Sequence, residues 1–359
     1  MRASENTTIP LVDARAHGTI GYALEGRDRA LALRDECLTW FAAPVRRLLP
    51  LLDRGARRWL RRSHSPYVGE IEAIARSLGF PGVWLLNGSY QWCCTAYAGD
   101  RDGVPFLART LDWPFAGLGR HVEVAQMQGP AGAYFNVTWP GYVGALTTMA
   151  PGRFAAALNQ APLLRRTRHP WLRPCDIALN AVRTFATVRS MPPDHLLRLA
   201  CERCADFDAA RAMLEHTPVA RPVIFILAGC RAGEHCVIER TEDAYVTRFN
   251  ATVAANDWQQ PRGLWEARVG GDLLLTCSFD AANENSRARR EALAAWSVRV
   301  GQDDFTWVEP PVLNPFTRVA ITACAATATL HVRGYEQPSP ADLPRAVTQP
   351  FALAPIAAA

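Results

Sequence analysis

Apolar residues recur at helical spacing in the first quarter of the chain, and this pattern predicts mostly helix over residues 11–92. The segment GRDRALALRDECLTWFAAPVRRLLPLLDRGARRWLRR carries the pattern most clearly. Another helix is predicted to end near Gly79, and residues 1–10 are expected to form a loose terminus. Breaks in the helical region are expected at its helix-disrupting residues, namely Pro44, Pro50 and Gly55.

The pattern changes at residue 93, where short β-rich runs bounded by turn residues become the dominant signal. Strands followed by helices and then by strands favour a layered α+β fold built on antiparallel sheets. The last residues are expected to form a disordered tail, 345–359. Strands are predicted at 93–99, 104–112, 121–128, 133–139, 142–149, 153–159, 222–228, 235–240, 244–249, 317–324 and 326–333. Helices are predicted at 173–187, 193–198, 205–215 and 286–300.

The composition is that of an ordinary globular protein, with 49% hydrophobic and 20% charged residues. All 39 residues counted as Lys+Arg are arginine, which excludes lysine Schiff bases and lysine general bases. The formal net charge of +5 gives little reason to expect a nucleic-acid partner. No apolar run approaches the roughly 18 residues of a membrane-spanning helix. The first residues also lack the basic-then-apolar order of a secretory signal, so we expect a cytoplasmic protein.

The ten cysteines are scattered along the chain, which favours reduced, buried thiols over a disulfide framework. Cys201 and Cys204 form a single CxxC within a helical pattern, and a structural zinc site usually needs a second pair. We interpret both as ordinary helix residues, one of them facing the core, with a zinc or redox role as the alternative. No metal or cofactor is expected.

The segment Arg46–Arg62 is basic and amphipathic, with an apolar side and many arginines. Two interpretations remain open. The segment is either a surface helix with a solvated basic face or a face that meets membrane lipid or an acyl substrate. Its apolar side consists of Leu48, Leu49, Leu52, Trp59 and Leu60.

Candidate chemistry is concentrated in YQWCCTAYAGDRDGVPFLARTLDWPF, residues 90–115. Two adjacent cysteines begin one predicted strand, and Arg109 and Asp112 end the next one. A cysteine becomes a strong nucleophile when a base removes its proton, but no histidine lies near these two in sequence. A cysteine that is the first residue of a chain can use its own α-amine, whose pKa is about 7.7–8.0, as that base.

The sequence resembles the N-terminal-nucleophile (Ntn) hydrolases of the acid ceramidase, N-acylethanolamine acid amidase and choloylglycine hydrolase group. In that family the nucleophile begins a strand of the type C-T/S-S/G, and the next strand ends in G/A-R-N/T-x-D. Four blocks of this chain match the family's motifs in the same order, over about residues 93–300. These blocks are CCTAYAGDRDGVPFLARTLDW, WPGYVGALTTMAPGRFAAALNQAP, RPVIFILAGCRAGEHCVIER and AANDW.

The spacing between the nucleophile, the arginine and the aspartate in the family indicates which cysteine of this chain matches the nucleophile. Family members have the arginine sixteen and the aspartate nineteen residues after the nucleophile, and counting back from Arg109 and Asp112 gives Cys93 both times. The C-T dipeptide instead matches Cys94 and Thr95, so both cysteines remain candidates, with Cys93 favoured. The resemblance implies that Cys93 attacks the acyl carbonyl, that Asp112 holds its freed α-amine, and that Arg109 favours the thiolate.

The resemblance also implies neutral donors for the oxyanion of the tetrahedral intermediate. Asn256 in AANDW matches the oxyanion asparagine, and Asn159 in ALNQAP matches a second active-site asparagine. A later arginine braces the site in the family, and we assign it to Arg287, with Arg290 as the nearby competitor. Ser286 is expected to be the N-cap of the helix that carries them.

The resemblance therefore predicts a four-layer αββα sandwich that hydrolyses a linear N-acyl amide through an acyl-thioester. The precursor is expected to cleave itself between Trp92 and Cys93, giving a helical leading segment, 1–92, and a catalytic domain, 93–359. The alternatives are an acyltransferase on the same fold and a non-catalytic lipid-binding protein. Four aromatic residues are candidates for an acyl pocket together with the leading helices, although aromatic side chains at such places are more often core, namely Trp92, Trp113, Trp139 and Tyr142.

Overall fold

A computed structural model describes residues 7–88, 93–249, 253–268, 278–295 and 305–353. The leading region is helical, as the apolar spacing predicts, and helices return between the later strands. The helices are α1 (Ala14–Glu25), α2 (Arg27–Leu38), α3 (Ala43–Arg46), α4 (Leu49–Leu60), α5 (Val68–Leu78), α6 (Val83–Gly88), α7 (Arg173–Val182), α8 (Pro193–Arg203), α9 (Phe207–His216) and α10 (Phe279–Ala295). One 3₁₀ turn, Pro170–Leu172, precedes α7, and one π-helical turn, Arg183–Thr187, follows it.

The strands of the described residues form two large sheets, and β8 and β13 form a separate two-stranded sheet. The strands are β1 (Leu11–Asp13), β2 (Cys93–Arg101), β3 (Val104–Asp112), β4 (Glu123–Gly129), β5 (Gly132–Thr138), β6 (Thr147–Ala150), β7 (Phe154–Gln160), β8 (Leu163–Leu164), β9 (Val223–Ala228), β10 (His235–Arg240), β11 (Tyr245–Arg248), β12 (Val253–Ala254), β13 (Trp265–Glu266), β14 (Thr317–Cys324), β15 (Thr329–Glu336), β16 (Arg345–Ala346) and β17 (Phe351–Ala352). One sheet has eight strands in the order β1-β4-β5-β6-β7-β9-β10-β11. The other has seven, in the order β12-β2-β3-β14-β15-β16 with β17 also paired to β15.

The two sheets stack face to face, with helices on both outer surfaces. β2 and β3 pack against β7 and β9, which places the largest apolar cluster between the sheets. α8 and α9 cover the eight-stranded sheet, and α10 covers β2 and β12 of the other sheet. The αββα prediction is therefore confirmed. In the described part of the chain, no helix is both long and apolar enough to cross a membrane.

Several predicted boundaries are corrected. Residues Leu11–Asp13 were predicted as helix but form β1, which pairs in parallel with β4. The strand predicted over 142–149 begins only at Thr147. The tail predicted to be disordered from residue 345 contributes β16 and β17, which both pair with β15. β1 gains its structure from β4, more than one hundred positions away, and β16 and β17 are two-residue strands too short to show a periodicity of their own.

The helix that carries the predicted bracing arginine also starts earlier than expected. α10 begins at Phe279, so Ser286 lies inside the helix and is not its N-cap. Ser286 instead accepts a hydrogen bond from the backbone N–H of Asn256 at 2.8 Å and donates one to Asp257 Oδ1 at 2.7 Å. Its hydroxyl thereby fixes the segment that carries Asn256. The predicted end of this helix, 296–300, lies outside the described residues.

Cys201 and Cys204 lie where α8 ends, and both are buried in the apolar cluster between and around the sheets. The Cys201 thiol donates to Thr148 Oγ1 at 3.0 Å. Burial raises the pKa of Cys201 to about 12 and that of Cys204 to about 11. Both groups are therefore neutral thiols at physiological pH, which makes them poor nucleophiles. Among the described residues, no group of three or more His, Cys, Asp or Glu could hold a metal ion.

Candidate active site

The β2–β3 hairpin brings the predicted residues together. Asp102 and Gly103 form its two-residue turn and both have positive φ, 53° and 78°, which is the turn geometry that Asp-Gly favours in tight hairpins. This turn fixes the register, and Cys93 pairs directly with Asp112. The thiol, the arginine and the aspartate lie on consecutive strands because the hairpin returns the end of β3 to the start of β2.

The inner face of this hairpin carries Cys94 and Arg109. Arg109 pairs with Ala96, two residues beyond Cys94, so the side chains of Arg109 and Cys94 point into the space between the sheets. Arg109 donates from Nη2 to Cys94 Sγ at 2.5 Å and from Nη1 to Leu146 O and Thr147 Oγ1, both at 2.9 Å. Arg109 thereby anchors Cys94 to the opposite sheet. The prediction that Arg109 favours the thiolate of Cys93 is corrected, because its guanidinium binds the thiol of Cys94.

The outer face carries Asp112 beneath α10. Its carboxylate accepts hydrogen bonds from Asn314 Nδ2 at 2.7 Å and from Thr317 Oγ1 at 2.9 Å. Arg289 Nη1 lies 3.8 Å from Asp112 Oδ2. Burial raises the pKa of Asp112, whereas Arg289 and the hydrogen bonds oppose that shift. The carboxylate is held rigidly beside the position where the chain enters β2.

Arg289 occupies the bracing position that the sequence assigned to Arg287. Its guanidinium donates to Cys94 O at 3.0 Å, Thr95 Oγ1 at 2.8 Å and Asn256 Oδ1 at 3.1 Å, and its side chain is 1% exposed. The side chain of Arg287 is 52% exposed and pairs with Glu284 at 3.1 Å. The structure places Arg287 outside the site, and the assignment is corrected to Arg289.

Arg290, the competitor considered from sequence, does not reach the hairpin either. Its Nη2 lies 3.1 Å from Asp257 Oδ2. Arg290 thus supports the segment after Asn256 from the side of α10.

The two predicted asparagines lie next to each other at the ends of β7 and β12, and both are fully buried. Asn256 Oδ1 accepts from the backbone N–H of Cys94 at 2.8 Å, and its Nδ2 donates to Gln160 O at 2.8 Å. Asn159 Nδ2 donates to Ala254 O at 3.1 Å. The structure therefore brings five of the six predicted residues into one cluster around the start of β2, namely Cys93, Arg109, Asp112, Asn159 and Asn256.

The two cysteines differ in exposure and in neighbours. Cys94 is fully buried, whereas Cys93 is 5% exposed. Burial raises the pKa of both thiols. For Cys93, Arg289 opposes the shift and Asp112 adds to it, whereas Arg109 is the main opposing charge for Cys94. Because neither thiol is ionised at neutral pH, a nucleophile at this position needs a base that removes its proton.

A cavity of about 310 Å³ lies near this cluster, although no residue of β2 lines it. It is connected to the cluster through Gln160, which lines it and accepts the hydrogen bond from Asn256. Arg268 also lines it and is close enough to Cys93 to favour the charged form of its thiol. Sequence reasoning missed Arg268, because no motif marks it and its position depends on the short pairing of β13 with β8.

A second cavity, of about 230 Å³, is almost wholly apolar and lies between the leading helices and the end of β3. Trp113 and Leu86 line it, and Leu85 lines both cavities. Trp139 and Tyr142, predicted as candidates for an acyl pocket, are instead buried in the core. Trp92 lies outside the described residues.

Comparison with known proteins finds relatives that are named as amide-hydrolysing enzymes. The chain is 28% identical over 203 residues to the N-acylethanolamine-hydrolyzing acid amidase of Oryctolagus cuniculus, covering 55% of this chain and 53% of the relative. It is 23% identical over 219 residues to the acid ceramidase of Bos taurus, again covering 55% and 53%. The chain is a homologue of these two proteins.

The resemblance that the sequence motifs indicated is thereby confirmed. The chain spans about half the length of the curated relatives it matches. Among solved structures, the Caenorhabditis elegans N-acylethanolamine-hydrolyzing acid amidase ortholog matches with a TM-score of 0.47 and 18% identity, covering 65% of this chain and 93% of that one. No family model matches the chain.

Proposed function

We propose that this protein hydrolyses a linear N-acyl amide through an acyl-thioester on Cys93. The observation that carries the proposal is the pairing of Cys93 with Asp112 at the start of β2. Cys93 is also close enough to Arg268, which lines a nearby cavity, to be affected by its charge. Cys93 is the more exposed of the two cysteines, and its backbone lies opposite a buried carboxylate. The similarity to acid amidases and to acid ceramidase supports the same reaction type.

The reaction requires cleavage of the precursor between Trp92 and Cys93, which divides the chain into a leading segment, 1–92, and a catalytic domain, 93–359. Cleavage frees the α-amine of Cys93, and Asp112 holds this amine. The amine then supplies the base that the neutral, buried thiol needs.

In the acylation step, Cys93 Sγ attacks the amide carbonyl while the α-amine takes the thiol proton. The tetrahedral intermediate places negative charge on the carbonyl oxygen, and the side-chain amides of Asn256 and Asn159 are proposed as its neutral donors. The C–N bond then breaks, and the α-ammonium returns the proton to the leaving amine. Water hydrolyses the thioester by the reverse sequence of proton transfers, which releases the carboxylic acid.

The other site residues hold this geometry. Arg289 fixes the amide of Asn256 and the backbone of Cys94, and Arg109 anchors the hairpin to the opposite sheet. The apolar cavity between the leading helices is proposed to take the acyl chain, with Trp113 in its wall. The substrate is thus a small-molecule N-acyl amide, and a cytoplasmic location stays a prediction.

The test is hydrolysis of N-acylethanolamines and ceramides of graded chain length, followed by mass analysis of both products. Wild type should release the free fatty acid, and Cys93→Ala should not. Adding a primary amine at high concentration separates the hydrolase from an acyltransferase, because an acyltransferase would form the new amide in place of the acid. No turnover of any amide, with an intact precursor, would contradict the proposal.

A further inference from the structure

The carboxylate of Asp112 is held by two side chains that lie far from it in sequence. Asn314 Nδ2 donates to Asp112 Oδ2 at 2.7 Å, and Thr317 Oγ1 donates to Asp112 Oδ1 at 2.9 Å. Each carboxylate oxygen therefore has its own neutral donor. Asp112 and Thr317 are both fully buried. A buried carboxylate depends strongly on such donors, because water is not there to replace them.

The two donors belong to one turn, residues 312–317, whose side chains fix each other. The Thr317 hydroxyl accepts a hydrogen bond from the backbone N–H of Asn314 at 3.1 Å, and Asn314 Oδ1 accepts one from the backbone N–H of Phe316 at 3.0 Å. The backbone N–H of Trp113 donates to Phe316 O at 2.6 Å, which joins the turn to the end of β3. Both donors are therefore oriented before any substrate binds.

A β-bulge in β14 directs the Thr317 side chain to Asp112. Thr317 pairs with Asp112 and Val319 with Leu111, so Arg318 is an extra residue on β14. In a regular strand, Thr317 would share the face of Val319, which lies in the apolar cluster between the sheets. The bulge instead places Thr317 on the face of Asp112, as bulges next to active sites often do for a single side chain.

Other charged and titratable groups also face Asp112. Burial raises the pKa of Asp112, and the largest opposing effect comes from Arg289, followed by the hydrogen bonds from Asn314 and Thr317. Arg289 lies 3.8 Å from the carboxylate, beyond hydrogen-bond distance, whereas Asn314 and Thr317 also fix its orientation. The groups that face Asp112 are Arg289 on α10, Arg109 on β3, Arg318 on β14, and the thiols of Cys93 and Cys94 on β2.

We propose that Asn314 and Thr317 are positioning residues for the carboxylate of Asp112. They orient Asp112 toward the α-amine of Cys93 and keep it in the ionised form that accepts a hydrogen bond from that amine. Both residues act through Asp112 and not on the substrate. This inference rests on the proposed function, in which Asp112 holds the amine that serves as the base.

Removal of one hydroxyl tests the proposal. Thr317→Val keeps the shape of the side chain but removes the donor, whereas Thr317→Ser keeps the hydroxyl. Thr317→Val should lower kcat by about 10- to 100-fold at neutral pH, with KM within a few-fold of wild type, because the amine is misplaced. Thr317→Ser should remain close to wild type. Asn314→Leu, which removes the other donor, should behave as Thr317→Val does.

The pH profile gives a readout that a purely structural role would not change. Without one donor, Asp112 becomes protonated at a higher pH, so the acid side of the kcat/KM profile should move upward by about 1 to 2 pH units. Thr322→Val is the matched control, because it removes a hydroxyl from the same strand, where Thr322 Oγ1 lies 3.3 Å from His331 Nδ1. Its profile should be that of wild type.

Two kinetic results would overturn the inference. One is a Thr317→Val variant with the kcat and the pH profile of wild type. The other is a Thr317→Ser variant that loses as much activity as Thr317→Val, which would assign Thr317 to packing alone.

A direct titration separates this inference from the proposed function. NMR of the aspartate carboxyl carbons follows Asp112 in Cys93→Ala, and Cys93→Ala/Asp112→Asn identifies its signal. Adding Thr317→Val to Cys93→Ala should raise the pKa of Asp112 by about 1 to 2 units. If wild type hydrolyses no amide, this shift would sustain the role of Thr317 without the amidase. An unchanged titration of Asp112 would overturn the inference even in an active amidase.

Discussion

Arg287 and Arg289 are two residues apart on α10, and that offset decides which one reaches the hairpin. Successive residues of an α-helix are rotated by about 100°, so these two side chains point to nearly opposite faces. Arg289 faces β2 and Asp112, whereas Arg287 faces solvent. Asn256 depends on this arrangement, because its Oδ1 is shared between Arg289 and the backbone of Cys94.

Replacing Arg289 by alanine should remove activity, whereas Arg287→Ala should not. The loss in kcat should be at least about 100-fold, because a displaced Asn256 is a misplaced oxyanion donor. The free energy of unfolding should also fall by about 3–5 kcal/mol, since Asp112 loses a buried counter-charge. Steady-state kinetics and urea unfolding of both variants check this. A fully active Arg289→Ala would remove Arg289 from the site.

At the residue scale, the sequence predicts the hairpin residues better than the distant ones. The Asp102-Gly103 turn sets the register, so counting along the chain is enough to pair Cys93 with Asp112. Arg289 was not selected because the helix was predicted to start at Ser286, whereas Ser278 caps it eight residues earlier and accepts a hydrogen bond from the backbone N–H of Ala281 at 3.2 Å. Arg268 follows a two-residue strand whose partner lies far away in sequence.

At the scale of elements, a buried histidine ties the leading segment to α8. His195 Nδ1 is 2.7 Å from Ser65 Oγ, and the ring of His195 packs edge-on against Tyr67 with centroids 5.5 Å apart. Arg198 of the same helix forms an ion pair with Glu70 at 2.8 Å. These contacts join the segment before Trp92 to the helical layer on the eight-stranded sheet.

His195 should make stability depend on pH below about 6.5, the pKa of an unperturbed histidine. Burial and Arg198 lower its pKa, against the opposing effect of Asp194 and Glu70. The unfolded chain therefore binds more protons below the ordinary histidine pKa of about 6.5, and stability falls as the pH falls, by at most about 1.4 kcal/mol per pH unit. Urea unfolding across this range measures the slope, and His195→Gln should reduce it. Equal slopes for both proteins would refute the assignment.

The amphipathic helix α4 and the turn before it offer a second element-scale prediction. Leu48 and Leu51 are 49% and 61% exposed, next to several arginines, although Arg57 and Arg61 are already paired with Glu72. We predict peripheral contact of this surface with anionic membranes, driven by the leucines and aided by the remaining positive charge.

Flotation with anionic vesicles measures this contact. Leu48→Ser/Leu51→Ser should lower the bound fraction more than about tenfold, since two leucines leave the lipid. Leu179→Ser/Val182→Ser, which alters a similarly exposed apolar pair on α7, is the matched control. Equal binding of both variants, or no binding of wild type, would remove α4 as a membrane surface.

At the scale of the whole molecule, the succession of strands and helices in the sequence predicts the order of the layers. It does not predict which strands lie at the edges of the sheets. β1 joins the edge of one sheet, and β16 and β17 lie along β15 at the edge of the other. Thr7 also bridges Thr348, so the described ends of the chain meet. The bridge between Thr7 and Thr348 joins residues more than three hundred positions apart, and no local pattern encodes it.

The proposed mechanism depends on one covalent event, the cleavage that makes Cys93 the first residue of its chain. Intact mass under denaturing conditions, at neutral and at acidic pH, tests it in wild type, Cys93→Ala and Cys94→Ala. We predict two fragments, one ending at Trp92 and the other beginning at Cys93, in wild type and in Cys94→Ala but not in Cys93→Ala. A junction between Cys93 and Cys94 would transfer the nucleophile's role to Cys94. A single uncut chain under every condition would contradict the proposed mechanism.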